Sequence, residues 1–313
     1  VTSASSTVTP ARGRFFIVLA ALLWSTSGAF TKLLTADTPL GLNEPPIETL
    51  DVGGYRFPVQ IVCYRCLLAG LAFVPALRPH ALRWQPLVLV MGLCFTCMSL
   101  TFISAQALGT AANAILLQYS APLWMYLASI LFLGEQPQRR NTVTLLCGLL
   151  GIGIIVAGGW QEGEMFVIGI GLASGVFYAC VILCLRVLRN MPALWLTVWN
   201  HLFSGLVLVP LILSLRPPTA GQFVVLMLFG VLQMSAAYWL MARGLQAVSP
   251  QEAGTLTLLE PLLNPIWTYF MAGETPSRWT FIGGGIILAA LAWRYWPFER
   301  ELLDGSETGT AGG

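Results

Sequence analysis

The chain has 313 residues, of which 56% are hydrophobic and 10% charged, whereas a soluble domain carries roughly 25% charged residues. That balance excludes a water-soluble globule, and basic residues scattered singly or in pairs between apolar runs, at a formal net charge of +2, exclude a nucleic-acid surface. Uncharged runs of about 20 residues, the length that crosses a bilayer as a helix, recur along the chain, so its solvent is lipid.

Residues 1–13, rich in Ser and Thr, are expected to form a disordered cytoplasmic tail. The first apolar run, about 15–34, is full span length and no small-x-small cleavage pattern follows it, so it reads as a helix and not as a signal peptide. Four more spans are expected at about 58–77, 85–104, 110–133 and 142–158. A second set follows at about 165–187, 193–215, 221–242, 252–271 and 279–297. The ninth, which contains Glu260, Pro261, Asn264 and Pro265, is the least hydrophobic. Residues 301–313, rich in Gly and Thr, are expected to be a second disordered cytoplasmic tail.

Basic residues in short loops stay on the cytoplasmic side. One side collects Arg12, Arg14, Arg78, Arg83, Arg139, Arg140, Arg186, Arg189, Arg243, Arg294 and Arg300; the other has Lys32, Arg56, Arg216 and Arg278. This asymmetry predicts an even number of spans with both termini cytoplasmic.

The chain also repeats itself. At a shift of 139 residues Ala114 matches Ala253, Leu117 matches Leu256, Pro122 matches Pro261, and Gly134, Glu135 and Pro137 match Gly273, Glu274 and Pro276. Spans four and five therefore correspond to nine and ten. A unit of five spans is odd, which forces its two copies into opposite orientations. The expected fold is all-α and integral to the membrane: ten transmembrane helices in two inverted-topology five-helix repeats, 14–160 and 161–300, around a central cavity. Inverted repeats are the common architecture of secondary transporters, with the substrate near the midplane.

The segments ALLWSTSGAFTKLL (21–34) and LLEPLLNPIW (258–267), with the Gly-Glu-x-Pro exits at 134–137 and 273–276, resemble the ten-helix EamA-type branch of the drug/metabolite transporter superfamily. The resemblance covers almost the whole chain outside the tails. It implies that spans one to four and six to nine surround the cavity while five and ten lie at the periphery. Within the superfamily the chain looks like bacterial exporters of amino acids and related metabolites, the YddG-like aromatic amino-acid exporters among them, which implies a bacterial inner membrane. Branches that carry nucleotide sugars or triose phosphates would want several basic residues in the cavity, and here only Arg65 lies inside a span.

Glu260 is the one acidic residue deep in a span, on a helical face with Thr257, Asn264 and Thr268. An unpaired charge there costs about 2.5–3.5 kcal/mol on insertion scales. Glu260 reads either as a partner for a substrate ammonium or a proton carrier, or as a helix-packing hydrogen bond; the first half has Ala121 at the matching place. Arg65 has three readings: it meets a substrate carboxylate, pairs with Glu260, or snorkels to the nearer surface.

Trp84, Trp160, Trp279, Tyr295 and Trp296 fit an interfacial belt, whereas Trp24, Tyr119, Trp124, Tyr178, Trp199, Tyr238 and Trp267 lie toward mid-span. Aromatic walls with a few polar groups bind amphipathic small molecules. Candidate polar partners are Ser25, Ser27, Asn113, Gln118, Asn200, His201 and Gln233, each of which also suits helix-to-helix hydrogen bonding. The substrate-binding set expected from sequence is Trp24, Ser27, Arg65, Gln118, Tyr119, Trp124, Tyr178, Trp199, Gln233, Tyr238, Glu260 and Asn264.

The pairs Cys63/Cys66 and Cys94/Cys97 lie in apolar helices with no nearby His, so no metal and no cofactor is expected. Gly148, Gly151, Gly153, Gly171, Gly175 and Gly283 to Gly285 read as close-approach faces, and Pro122, Pro261 and Pro265 as helix breaks. An intramembrane enzyme would need a nucleophile and base, and His201, the one His within a span, has no consistent partner. The expected protein exports amino acids, aromatic and other neutral ones, or related metabolites by alternating access. Drugs or sugars stay open as cargo, as does the oligomeric state; the expected partners are the small-molecule substrate and the bilayer.

Overall fold

A computed structural model of the chain describes residues 9–42, 44–78, 83–134, 136–162 and 164–295. The predicted tail residues 1–8 and 301–313, Glu135 of the first repeated motif and Trp296 of the predicted belt lie outside the described residues.

Helix α1 (Pro10–Ser25) opens with Pro10, where a missing N–H is harmless, and the Thr9 side chain accepts from the Arg12 N–H. Residues 10–13, predicted as tail, are thus its first turn. The hydroxyls of Ser25 and Thr26 bond back to Leu22 O and Leu23 O at 2.7 and 2.6 Å. Such bonds compete with the helical ladder, and the chain breaks at Thr26 before resuming as α2 (Ser27–Thr35).

A hairpin not expected from sequence follows: β1 (Leu50–Val52) pairs antiparallel with β2 (Tyr55–Phe57). Its two-residue turn is Gly53-Gly54, with φ of 64° and 84°, the left-handed conformation that hairpin twist demands and glycine supplies. Tyr55 stacks on Phe166 with centroids 3.7 Å apart. The preceding loop is tied down by Gln222 Nε2, which donates to Leu42 O and Pro45 O, and by Arg216, which donates to Pro46 O and Glu48.

Next come α3 (Val59–Phe73), α4 (Pro86–Leu108), α5 (Ala111–Gln118), α6 (Ala121–Leu133), α7 (Arg139–Glu162), α8 (Met165–Val187) and α9 (Ala193–Ile212). Helix α10 (Ala220–Leu228) passes through a π-helical stretch, Phe229–Ala236, into α11 (Ala237–Gly244). The last are α12 (Pro250–Thr257), α13 (Leu259–Ala272) and α14 (Arg278–Tyr295). Eight segments among the described residues, from 10–35 to 220–244, are long and apolar enough to cross a membrane.

The local structure recurs at the 139-residue shift seen in the sequence. Helices α5, α12 and then α7, α14 begin 139 residues apart, Thr110 and Ser249 cap α5 and α12 with their side chains, and Gly134 and Gly273 end α6 and α13 at φ of 64° and 65°. The Gly of Gly-Glu-x-Pro is therefore a left-handed helix C-cap.

The prolines act differently from expectation. The breaks fall at Tyr119–Ser120 and at Leu258, just ahead of Pro122 and Pro261, which sit in the first turns of α6 and α13, and Pro265 lies inside α13 without ending it. First-turn N–H groups have no helical acceptor, so proline is tolerated there.

Of the predicted close-approach glycines, Gly151 and Gly283 bring the backbones of α7 and α14 together, and Gly175 of α8 lies against the α5–α6 break. Gly153 and Gly285 face open space instead. A Cβ at Gly175 would stand 2.4 Å from Ser120 Oγ and 2.8 Å from Leu117 O. Gly175→Val should therefore cut the monodisperse fraction on size-exclusion chromatography several-fold, while Gly153→Val leaves it unchanged.

A candidate substrate site at the centre of the bundle

Arg65 lies on α3 and is 2% exposed. The guanidinium covers the Phe229 ring at 4.9 Å, and Phe229 in turn stacks on Phe30 of α2 at 5.2 Å. The snorkelling reading fails, because the side chain turns into the protein. The pairing reading fails as well. The ion pairs among the described residues are Arg14–Glu252 and Lys32–Glu274, so Arg65 and Glu260 do not bond to each other. Arg65 Nε has no hydrogen-bond partner in the structure.

Tyr238, two residues beyond the π-helical stretch, connects the surrounding groups. Its ring meets Trp24 edge-on at 5.2 Å and His201 edge-on at 5.5 Å, and His201 touches Phe95 at 5.0 Å. It lies near enough to both Arg65 and Glu260 to feel their charges. His201 Nδ1 bonds Thr197 O at 2.8 Å, while Nε2, buried, is without a partner. Gln233 Nε2 donates to Trp24 O at 3.2 Å and leaves its Oε1 unpartnered. The π-helical stretch places Gln233 and Phe229 on the side of Trp24 and Arg65. Such bulges inside α-helices are frequent at functional sites.

Glu260 stands in the first turn of α13. Its Oε2 lies 2.8 Å from the Tyr119 hydroxyl, which also reaches Thr257 O at 2.9 Å. Trp24, Tyr119, Tyr238 and Glu260 are each only half-buried although they converge on one another. Together they border a polar interior between α1, α3, α5, α9, α11 and α13.

Ser27 and Asn264 belong to a neighbouring seam. Asn264 Nδ2 donates to Ser25 O at 3.0 Å and to Ser27 Oγ at 3.4 Å, Gln106 Nε2 donates to Ser27 Oγ at 3.0 Å, and Thr31 Oγ1 donates to Gln106 Oε1 at 3.0 Å. Trp267 Nε1 donates to Ser25 Oγ at 2.8 Å. Gly28 permits this approach, since a Cβ there would meet Asn264, Thr268 and Ala111 within 2.9 Å. These groups hold α2 on α13 in the way helix-to-helix hydrogen bonds do.

Other expected residues fall elsewhere. Trp199 clusters with Trp84, Trp195 and Phe203 and donates to Val88 O at 2.9 Å. Tyr178 is exposed on α8. Trp124 donates to Ser120 Oγ at 2.8 Å and so secures the α5–α6 break. Gln118 is buried at the end of α5, where its carbonyl faces Gly175 of α8. Periodicity alone could not say which face of each helix turns inward.

Sequence reasoning missed the most complete ionic contact. Lys32 Nζ lies 3.0 Å from Glu274 Oε2 and donates to Gly109 O at 2.7 Å, and Glu274 Oε1 accepts from the Ala111 N–H at 2.7 Å. Both side chains are 12% exposed. The signal was available: Lys32 is the one lysine of the chain, and Glu274 belongs to the repeated motif. At the end of the bundle where α1 begins, Arg14–Glu252 is exposed by 58% and 35%.

An apolar exterior, with residues such as Leu131, Val187, Leu213 and Phe270 largely exposed, surrounds a polar interior with unpartnered groups. That arrangement defines a helical membrane transporter. The chain belongs to the EamA-like transporter family, whose model matches residues 53–157 and 165–296. It is 27% identical to an uncharacterized transporter of Archaeoglobus fulgidus over 90% of this chain and 96% of that protein. It is also 27% identical to the pseudopaline exporter CntI of Pseudomonas aeruginosa over 74% of this chain and 84% of that one. A solved crystal structure with 18% identity superposes with a TM-score of 0.60, covering 91% of this chain and 98% of the other, a likeness of fold.

Proposed function

We propose that this protein is a secondary carrier that exports amino acids or related small zwitterionic metabolites across a bacterial inner membrane by alternating access. In this reading the chain makes ten spans in two inverted halves, with both termini cytoplasmic. The recurrence of elements at the 139-residue shift, and a family model that matches twice, support the two halves. The exporter among the relatives supports the direction of transport.

The observation that carries the substrate reading is Arg65, a buried guanidinium whose Nε lacks a hydrogen-bond partner and which pairs with no carboxylate among the described residues. Ionisable residues inside a membrane mark substrate paths. A substrate carboxylate supplies the missing partner, with His201 and Gln233 close by. Glu260 and Tyr119 receive the ammonium, and Trp24 and Tyr238 form the wall between. Of the residues expected from sequence, Trp24, Arg65, Tyr119, Gln233, Tyr238 and Glu260 form this site; Ser27 and Asn264 brace it.

The test is uptake of labelled Phe, Trp, Thr and Met into liposomes holding the purified protein, against empty liposomes. Saturable uptake that falls at least tenfold in Arg65→Met supports the reading. Transport of a sugar or a cationic drug, with no amino acid moved, would replace the substrate.

A further inference from the structure

The two halves of the chain differ at one matching place beside their last helices. In the first half α6 closes on α7 with its own side chains. The Tyr126 hydroxyl lies 2.8 Å from Thr142 Oγ1 and 3.2 Å from Gln138 O, and Leu123 is 2% exposed, its Cδ1 2.3 Å from where a Cβ at Gly148 would stand. At the 139-residue shift Tyr126, Thr142 and Leu123 become Pro265, Phe281 and Leu262. Neither Pro265 nor Phe281 has a hydroxyl with which to repeat the bond, and Leu262 is 53% exposed. A groove remains between α13 and α14, lined also by Ala112 and Leu116 of α5.

The groove holds about 170 Å³, comparable to engineered apolar cavities of about 150 Å³ that stay dry and take up benzene. Its one polar side chain, Thr280, already donates to Asn113 Oδ1 at 2.6 Å, so the groove asks for no hydrogen bond. Gly285 widens it, since a Cβ there would have no atom within 4 Å. Along α14 it extends from Thr280 to Leu288, roughly 12 Å at about 1.5 Å per residue, which is most of one leaflet of a hydrocarbon core about 30 Å thick. Leu262 and Phe281, both exposed, make it continuous with the lipid-facing surface. Left empty, such a groove would forfeit the dispersion contacts of its walls.

A cation stands at the end of the groove. Arg278 begins α14, is exposed, and shares a helical face with Phe281, Gly285 and Leu288, three, seven and ten residues on. Its guanidinium covers the Trp279 ring at 4.9 Å and takes part in no ion pair among the described residues. Trp and Arg at span ends anchor a helix at headgroup level, and a guanidinium matches phosphate oxygens in geometry and charge. We propose that the groove is a phospholipid-binding site: one acyl chain lies between α13 and α14, and the phosphate of the same lipid meets Arg278. The chain braces α13 at its first turn, where Pro261 lines the groove next to Glu260. This site is independent of the substrate reading.

Native mass spectrometry of the full chain, purified in detergent and supplied with phosphatidylglycerol, tests this. Wild type should keep one phosphatidylglycerol per chain at collision energies that strip loosely held lipid. Gly285→Leu fills the groove without a clash and suits a helix better than glycine. It should cut the retained fraction at least fivefold, with the thermal midpoint unchanged or raised. Arg278→Gln should cut retention at least twofold. Gly153→Leu, on α7 where a Cβ also meets open space, should retain lipid as wild type does. Equal retention by wild type and Gly285→Leu would overturn the proposal, as would an equal loss in Gly153→Leu or a wild type that keeps no lipid. Full retention by Arg278→Gln would overturn the phosphate contact. A change of oligomeric mass in Gly285→Leu would overturn the lipid site and assign the groove to a second copy of the chain.

Discussion

Lys32→Met should destabilise the protein by about 3–5 kcal/mol, the usual effect of removing one partner from a buried pair. The loss leaves Glu274 with one donor, the Ala111 N–H, and leaves Gly109 O without the ammonium. The measurement is the midpoint of thermal unfolding in detergent at a fixed scan rate, since such unfolding is often irreversible. Glu274→Gln should do less harm than Lys32→Met, because an amide oxygen still accepts from Ala111. The reversed pair, Lys32→Glu with Glu274→Lys, should fail to restore the midpoint. Its new carboxylate would face the Gly109 carbonyl and its new ammonium the Ala111 N–H, so the backbone dictates which charge stands where. Recovery by the reversed pair would show that only the mutual attraction matters.

Arg65→Met should have the opposite profile. A guanidinium with an unpartnered Nε and a ring as its main neighbour contributes little to the fold, and replacing buried charge by an apolar group of similar length is often neutral or stabilising. The thermal midpoint should hold or rise, while amino-acid uptake falls at least tenfold. Arg65→Lys should recover little of it, since an ammonium lacks the planar fork that grips a carboxylate. A large fall in midpoint with uptake preserved per folded molecule would make Arg65 a packing residue.

Lipid as solvent and the repeat of elements were legible because both are statements about runs of residues. Span ends were less so. Pro10 and Thr9 start α1 within a stretch whose polarity suggested a tail, and the helix there is fixed by capping and by Arg14 reaching Glu252. The hairpin at 50–57 carries a turn signal, Gly53-Gly54 between apolar residues, but its strands are three residues each, far shorter than the runs that mark spans. At the site, Arg65, Glu260, Tyr119, Trp24 and Tyr238 were found by their chemistry, polar or aromatic groups in apolar segments. Trp199 and Tyr178 have the same chemistry but lie elsewhere, Trp199 against Trp195 and α4 and Tyr178 on an exposed part of α8. Which side of a helix turns inward depends on tertiary packing, for which hydrophobic periodicity is a weak guide when both faces are apolar. Lys32–Glu274 spans 242 residues of sequence, so its pairing emerges only when α2 and the end of α13 are brought together.

The two ends of the bundle are fastened by contacts of different kinds, and dissolved salt distinguishes between them. Arg14 and Glu252 meet in the open, where mobile ions at physiological strength screen charges over a distance of about 8 Å. Lys32 and Glu274 are shielded by the protein and anchored to its backbone. Raising ionic strength should therefore loosen the end where α1 begins and leave the other shut. Cysteine labels placed beside Arg14 and beside Lys32 would react at salt-dependent and salt-independent rates respectively, so an ordinary electrolyte becomes a one-sided handle on this membrane protein.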